Sequence, residues 1–392
     1  MVKKMIKTYK VMLLPNNKQN TKLFQSAGTA RFAYNWVLGK QKENHAQGNK
    51  FLNDSVLRKE FTQLKKTDEF KWTNNYSNNI TKQAIKDACD AYIKFFKKQS
   101  QFPKFKSKRK SRPSFYVDSV KIEFSETHVK LEKIADSTRK NRAKANWIKL
   151  AEKNRIPVGV KYYNPRITFD GINWWISVGI ECEDVVEMKT NSSGLGIDIG
   201  IKDLAICSDG NTYNNINKTK TVKKLKKKKR RLQRKVSKKY LKNKKGERYC
   251  KTCNIIKSEK ELLKVNHRLT DIRHNHLHQT TSDIINRKPR FIVLEDLNVK
   301  GMMKNKHLSK AVQEQCFYEF YRQIEYKCNW SGIEFITANR FYPSSKLCSH
   351  CGNIKRDLKL SDRVYKCECG NEIDRDLQAA INLERYGEQS IT

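Results

Sequence analysis

SGLGIDIGIKDLAICSDG, residues Ser193 to Gly210, reads as an apolar strand holding one acid, Asp198, that turns straight into a second strand at Leu204 to Cys207. Strand side chains alternate between faces, so Asp198 points away from Ile197 and Ile199 and stands out on a sheet otherwise built to be buried. A buried carboxylate without a partner is costly, and it is usually kept because it holds a metal or pairs with a base. Glycines at 194, 196 and 200 leave the backbone bare, which suits close approach of something large. Taken alone, the stretch is equally compatible with a turn acid at a strand end.

Two distant segments shift the balance. RFIVLEDL, Arg290 to Leu297, is an uninterrupted apolar strand ending in Glu295, and EIDRDLQAAINL, Glu372 to Leu383, is a helix opened by acids. A strand acid, a second strand acid and a helix acid, far apart in sequence, are what a two-metal phosphodiester-cleaving site needs. Hard cations take oxygen ligands and must be gripped from several sides.

The 392 residues are enough for two or three domains, and 82 Lys+Arg against 40 Asp+Glu give a formal charge of +42. That excess points to a polyanion, with nucleic acid the first candidate and an anionic membrane the second. No stretch reaches the length of a membrane span, and lysines interrupt the apolar residues of MVKKMIKTYKVMLL, so neither signal peptide nor anchor is expected and the protein should stay in the cytosol. No amphipathic anchor with interfacial aromatics favours a membrane surface either. Eleven cysteines, an odd number, fit reduced thiols and metal ligands better than disulfides.

In chain order, Ile6 to Leu13 alternates as a half-exposed strand. Helical spacing follows over Thr21 to Gln47, Val56 to Leu64 and Ile80 to Phe96. FPKFKSKRKSRPSF, Phe102 to Phe115, then sets six basic residues among aromatics, a pattern able to contact phosphates while stacking on bases. Short strands are expected at Phe115 to Val117, Val120 to Phe124, His128 to Leu131, Trp147 to Leu150, Val158 to Tyr162, Arg166 to Phe169 and Trp174 to Ile180. Asp170-Gly171-Ile172-Asn173 is the hairpin turn before the last, and together the strands imply a small β-barrel. Polar Glu181 to Ser193 marks a boundary. Beyond it, Lys223 to Lys245 holds fifteen lysines and arginines and no acid on a narrow helical stripe of Leu225, Leu232, Val236 and Tyr240; a phosphate backbone lying along it would relieve the repulsion.

Two cysteine groups differ in strength. Cys250 and Cys253 precede His267 and His274, but seven residues of helix separate those histidines by about 10 Å, too far for one metal. His274 and His278 could share one, which leaves that pair open. By contrast CSHCGN at Cys348 and Cys351 and CECGNE at Cys367 and Cys369, fifteen residues apart, match a closed four-thiolate zinc ribbon, with Gly352 and Gly370 permitting the tight knuckle turns.

The ordered set GIDIGIKDLA, FIVLEDLNVKGM, FYPSSKLCSHCG and IDRDLQAAINL, with N-terminal YKVMLLPNNKQ and RFAYNW, resembles the TnpB family, RNA-guided nucleases encoded by insertion sequences and similar to the ancestors of type V CRISPR effectors. The resemblance covers nearly the whole chain. It implies a multidomain α+β protein: a helical recognition lobe (16–101), a small β-barrel wedge domain (102–185, its first strand from 1–15), and a split RNase H-like (RuvC) α/β nuclease domain (186–392) with a zinc ribbon inserted at 343–372. It also implies a DNA endonuclease guided by RNA to a double-stranded target beside a short flanking motif, with Asp198, Glu295 and Asp376 holding two Mg2+ ions and Cys348, Cys351, Cys367 and Cys369 one structural zinc. A binding protein of the same origin that occupies DNA without cutting is the alternative. Gln378 stands where the family more often has Asn, and the C-x-C knuckle is shorter than usual.

Within the basic segments, Lys104, Lys106, Lys108, Arg109, Lys110, Arg112, Lys227, Lys228, Arg230, Arg231 and Arg234 are the expected nucleic-acid contacts. Helix geometry separates Asp374 from Asp376 by about 200°, so only one can join the metal pair. Asp376 shares the arc of Ala379, Ala380 and Leu383, whereas Asp374 sits at the N-cap, on the more polar arc of Gln378 and Arg385.

Overall fold

The computed structural model describes residues 5–134, 145–182, 191, 193–359 and 362–391. The chain forms two compact units, Met1–Glu183 and Asp184–Thr392. The boundary expected at 185/186 lies outside the described residues.

In the first unit, strand β1 (Met5–Leu14) leads into helix α1 (Asn17–Ala46), started by a capping box in which Asn16 accepts from the Gln19 amide and Gln19 returns the bond. Helices α2 (Asp54–Leu64) and α3 (Asn78–Phe96) follow, capped by Asn53 and Ser77. Six further strands are β2 (Ser114–Tyr116), β3 (Glu123–Phe124), β4 (His128–Lys130), β5 (Trp147–Leu150), β6 (Tyr162–Phe169) and β7 (Trp174–Cys182). All pair antiparallel in the order β2-β6-β7-β1-β5-β4-β3. Among the described residues no ladder joins β2 to β3, so the expected barrel is an open seven-stranded sheet here. One core serves sheet and helices, with Trp174 its largest fully buried side chain, and Arg166 ties β6 to Asp87 of α3 through two hydrogen bonds of 2.7 and 2.8 Å.

Val158 to Tyr162 is not a strand, apart from its last residue. Gly159 takes a left-handed φ of +77°, the valines on either side are exposed, and regular pairing starts only at Tyr162. Strand β6 absorbs Pro165 at a register shift between Tyr163 and Arg166, as a residue without an amide hydrogen requires.

The second unit is built on a mixed sheet of order β10-β9-β8-β13-β14, where β8 is Leu195–Asp198, β9 Asp203–Cys207, β10 Thr212–Asn214, β13 Phe291–Glu295 and β14 Glu334–Ala338. Strands β8, β13 and β14 run parallel, β9 turns back antiparallel to β8, and β10 reverses again to pair antiparallel with β9. The chain between β10 and β13 forms the basic helix α4 (Lys220–Lys242), a two-residue hairpin (β11, Lys244–Lys245; β12, Arg248–Tyr249) and the long α5 (Cys253–Asn286). Helix α4 packs on α5 through Val222 and Leu232 against Val265 and Leu269. One sheet face buries Ile197, Ile292 and Leu294 against α5 and helix α6 (Phe317–Ser331). The other carries Phe291 and Val293 against Leu383 of the last helix, α7 (Arg375–Ile391).

Helix α7 can lie this close to β8 because Gly196 has no side chain: a Cβ there would fall 2.0 Å from the Ala380 carbonyl oxygen and 2.4 Å from the Glu384 nitrogen, both backbone. Gly387 does the same for the Phe291 ring at 2.3 Å. Gly196→Ala should therefore destabilise the second unit by about 3 kcal/mol or more, since backbone cannot step aside as a side chain can. Gly39→Ala, in open space within α1, should stabilise by about 0.5–1 kcal/mol. Denaturant midpoints of the two variants against the parent check both; an unshifted Gly196→Ala midpoint contradicts the packing.

Candidate active site

Parallel pairing matches Leu195, Gly196 and Ile197 of β8 with Ile292, Val293 and Leu294 of β13. The next residues of each strand, Asp198 and Glu295, thus fall side by side at the C-terminal ends of adjacent parallel strands. Both lie on the face of Gly196 and Val293, the face that α7 covers. Burial first, with the nearby charges of Glu295 and Asp376 acting the same way and Arg375 and the Ile199 amide opposing them, pushes the Asp198 carboxyl up to about 8. Glu295 is raised by burial too, with the Ser344 hydroxyl, which donates to its Oε1, working against the rise.

The third acid comes from the start of α7. Asp374 Oδ1 accepts from the amides of Asp376 at 2.9 Å and Leu377 at 3.2 Å, the bonding of an N-cap, and so is spent on the helix end. Asp376 is turned inward and neighbours two guanidinium groups, Arg375 at 3.4 Å and Arg363 at 3.8 Å. Beyond it Ala379, Ala380 and Leu383 are buried. Three carboxylates converging where solvent is scarce form an electrostatically unfavourable group that a cation relieves. Among the described residues their oxygens do not form a tight cluster within 4.8 Å.

The four C-terminal cysteines do form such a cluster, every ligand atom lying within 4.8 Å of the others. Cys348 and Cys369 sulfurs are 3.7 Å apart and those of Cys351 and Cys367 3.6 Å, close to the edge of a tetrahedron with ~2.3 Å zinc–sulfur bonds. Gly352 and Gly370 carry the knuckle turns at φ +74° and +87°, and β15 (Val364–Lys366) pairs with β16 (Glu372–Asp374) to lead the chain back into α7. Burial acts to raise the Cys348 thiol, but amides of Cys351 and His350 and the Asn371 side chain stabilise its thiolate and bring it down to about 6. A low thiol of this kind is ready to ligate.

Ribbon and acids share a brace. Gln378 and Asn382, one turn apart on α7, are both fully buried. Gln378 donates to the Leu347 carbonyl at 2.8 Å and accepts from Ser349 and Asn371, each at 3.0 Å. Asn382 donates to the carbonyls of Ser344 and Leu347, both at 2.7 Å. The segment 344–349, carrying the Glu295 partner at one end and Cys348 near the other, is thereby fixed to the helix that carries Asp376. Gln378, on the arc read as more polar and where the family more often has Asn, faces the ribbon, where its amide satisfies knuckle backbone. Ser344, Gln378 and Asn382 were not singled out as working residues from sequence. An i, i+4 amide pair set into a face of alanines and leucine was the available sign.

Of the basic residues expected to meet nucleic acid, Lys227, Lys228, Arg230, Arg231 and Arg234 line exposed positions of α4, while the inward Lys226 bonds Glu314 at 2.6 Å. Lys104, Lys108, Arg109, Lys110 and Arg112 are also exposed. Lys106 differs in that its ammonium lies 3.5 Å over the Tyr34 ring. Cys250 and Cys253 flank the start of α5, and among the described residues no set of three or more candidate ligands includes them, His274 or His278. His278 instead lies 3.4 Å from the Gln323 amide. No helix among the described residues is long and apolar enough to cross a membrane.

The assembled features are those of a multidomain α/β protein with an acid cluster on a mixed sheet and a four-cysteine ribbon beside it. Comparison with known proteins agrees. Residues 177–306 match a family described as "Probable transposase", of the IS605 OrfB type, and residues 317–383 match "Cas12f1-like, TNB domain". Residues 1–50 match a "Helix-turn-helix domain", although among the described residues of that stretch the elements are β1 and the long α1. The chain is 28% identical over 391 residues to a Streptomyces pristinaespiralis protein named "Putative RNA-guided DNA endonuclease", covering 99% of this chain and 90% of that one. It is 26% identical over 400 residues to the similarly named InsQ of Escherichia coli (strain K12), covering 98% and 93%. A Cas12f1 chain solved with guide RNA and target DNA superposes with a TM-score of 0.57 at 14% identity, covering 94% of this chain and 82% of that chain, a likeness of fold. The resemblance to the insertion-sequence TnpB family read from the sequence is borne out.

A closed four-thiolate site should retain its ion through purification. Elemental analysis without added metal is expected to find about one zinc per chain. Cys348→Ser should lower zinc content and thermal stability together. Full zinc after two of the four cysteines are replaced would move the metal elsewhere.

Proposed function

We propose that this chain is an RNA-guided DNA endonuclease encoded by an insertion sequence, cutting double-stranded DNA next to a short flanking motif. The observation that carries the reading is the register of β8 and β13, which sets Asp198 beside Glu295 under the end of α7 that bears Asp376. A five-stranded mixed sheet in which β9 alone runs against β8, β13, β14 and β10 supports an RNase H-like, RuvC-type nuclease domain. The helices of the first unit would serve as a recognition lobe and its sheet as the wedge, together holding the guide RNA and its duplex with target. Base pairing would choose the sequence, and the protein would read duplex shape and the flanking motif.

Asp198, Glu295 and Asp376 would hold two Mg2+ ions, and the chemistry such a pair supplies is activation of a water and stabilisation of the leaving oxygen. The surrounding residues keep the ligands in place. Ser344 fixes one oxygen of Glu295, Arg375 and Arg363 flank the Asp376 carboxylate, and Asp374 anchors the helix end. Zinc in the cysteine ribbon, with four thiolates and no open position, would brace the 344–349 segment without joining the reaction.

Asp376→Ala should abolish DNA cleavage while RNA and target binding persist, as loss of a metal ligand alone predicts. Asp374→Ala should cost only about 1 kcal/mol of stability, the usual value of a cap, and leave substantial cutting. Cleavage and binding assayed for both variants at matched Mg2+ decide the assignment; parental cutting by Asp376→Ala, with loss in Asp374→Ala, would reverse it. A parent chain that binds RNA and target yet never cuts would leave a DNA-occupying protein in place of a nuclease.

A further inference from the structure

In the first unit, the C-terminal end of α3 and the segment after it border a cavity of about 610 Å³, within the ~300–1,000 Å³ range of ligand clefts. Its walls include Phe51, Tyr92, Phe95, Phe96, Phe102 and Phe105. The rings brace one another edge to face, with centroids of 5.6 Å for Tyr92 and Phe102, 5.2 Å for Phe95 and Phe102, and 5.5 Å for Phe51 and Phe96. Even so, Phe96, Phe102 and Phe105 remain 58%, 56% and 60% exposed. A concentration of open aromatic surface is costly to leave in water and marks a surface in use.

The cavity is held in shape. The Asn35 side chain bonds both the amide and the carbonyl of Lys106 at 2.8 Å, the Lys106 ammonium sits over Tyr34, and Pro103, next to Phe102, is buried. The lining residue Gln41 bonds the Leu52 backbone through its amide at 2.6 and 3.2 Å. The rings are therefore presented in a fixed arrangement, which lowers the ordering cost for whatever enters.

Charge decides what that is. Lys42, Lys104 and His45 stand among the lining residues and no acid does. From Lys104 the chain continues outward through exposed Lys108, Arg109, Lys110 and Arg112. A second copy of a chain carrying +42 would meet repulsion here, and an apolar peptide would leave the cations idle. Flat aromatic faces beside a cationic track fit a base that stacks inside while its phosphates run along the lysines. We infer that this cavity is a base-stacking subsite for an unpaired nucleotide of single-stranded nucleic acid. The inference rests on the nucleic-acid reading of the function and names a place for it.

The test is binding of a fluorescein-labelled single-stranded oligouridine to the full chain, followed by anisotropy across a range of salt. Phe105→Ala should weaken binding roughly 5- to 100-fold, the usual loss for one stacked base, with an unchanged salt slope because the ring carries no charge. Phe105→Trp should keep parental affinity, and Lys104→Gln should flatten the slope. Because Phe105 is mostly exposed, its thermal midpoint should stay at the parental value. Parental affinity in both Phe102→Ala and Phe105→Ala, while the parent binds, overturns the subsite alone. So does a parental dimer in sedimentation that Phe105→Ala dissociates, which would make a second copy the occupant. No binding of the oligonucleotide by the parent would strike the nucleic-acid reading itself.

Discussion

The contact between the backbone of α7 and strand β8 at Gly196 governs the second unit. A helix normally stands off a sheet by the length of its side chains, but here Ala380 and Glu384 backbone atoms occupy the space a Cβ would take. The approach brings the first turn of α7 down to the strand ends, where a short acid such as Asp376 can reach toward Asp198 and Glu295. Side chains on the helix face are correspondingly small, Ala379 and Ala380, and Gly387 repeats the device against Phe291 farther along. Packing geometry thus sets the spacing of the acids, and the acids' mutual repulsion is tolerated because burial of the surrounding core stabilises the assembly as a whole.

The same helix links the acid cluster to the cysteine ribbon. Gln378 and Asn382 hold segment 344–349 by its carbonyls, and that segment presents Ser344 to Glu295 and Cys348 to the thiol cluster. Disturbing the ribbon would loosen backbone that sits next to a carboxylate already raised by burial. Arg363, just ahead of β15 and between the two cysteine knuckles, reaches Asp376. Through hydrogen bonds and one ion pair, the ribbon touches the surroundings of two of the three carboxylates.

Much of this was legible in the chain because periodicity carries it. The apolar runs ending in Asp198 and Glu295 are strands, the small-residue stripe of α7 is its buried face, and the glycines after Cys351 and Cys369 take the left-handed φ that their turns demand. Asp374 caps as helix geometry required. What escaped depends on contacts that cross sequence distance. Gln378 sits on the arc read as more polar until the ribbon is folded against it, and Ser344 is one hydroxyl among several until β13 places Glu295 beside it. Val158 to Tyr162 alternates like a strand, but Gly159 turns the chain before pairing can begin. Barrel closure was likewise beyond local pattern, since it depends on whether the edge strands β2 and β3 meet.

The most direct test of the account is reprogramming. The chain is purified with the RNA that accompanies it, that RNA is replaced by one with the same fixed scaffold and a variable end rewritten to match a chosen plasmid, and the plasmid is incubated with the complex and Mg2+. The account predicts that the matched plasmid, carrying the appropriate flanking motif, is cut while an unmatched plasmid stays intact, because base pairing and not the protein selects the site. Equal cutting of both plasmids, or cutting that is indifferent to the RNA supplied, would contradict it.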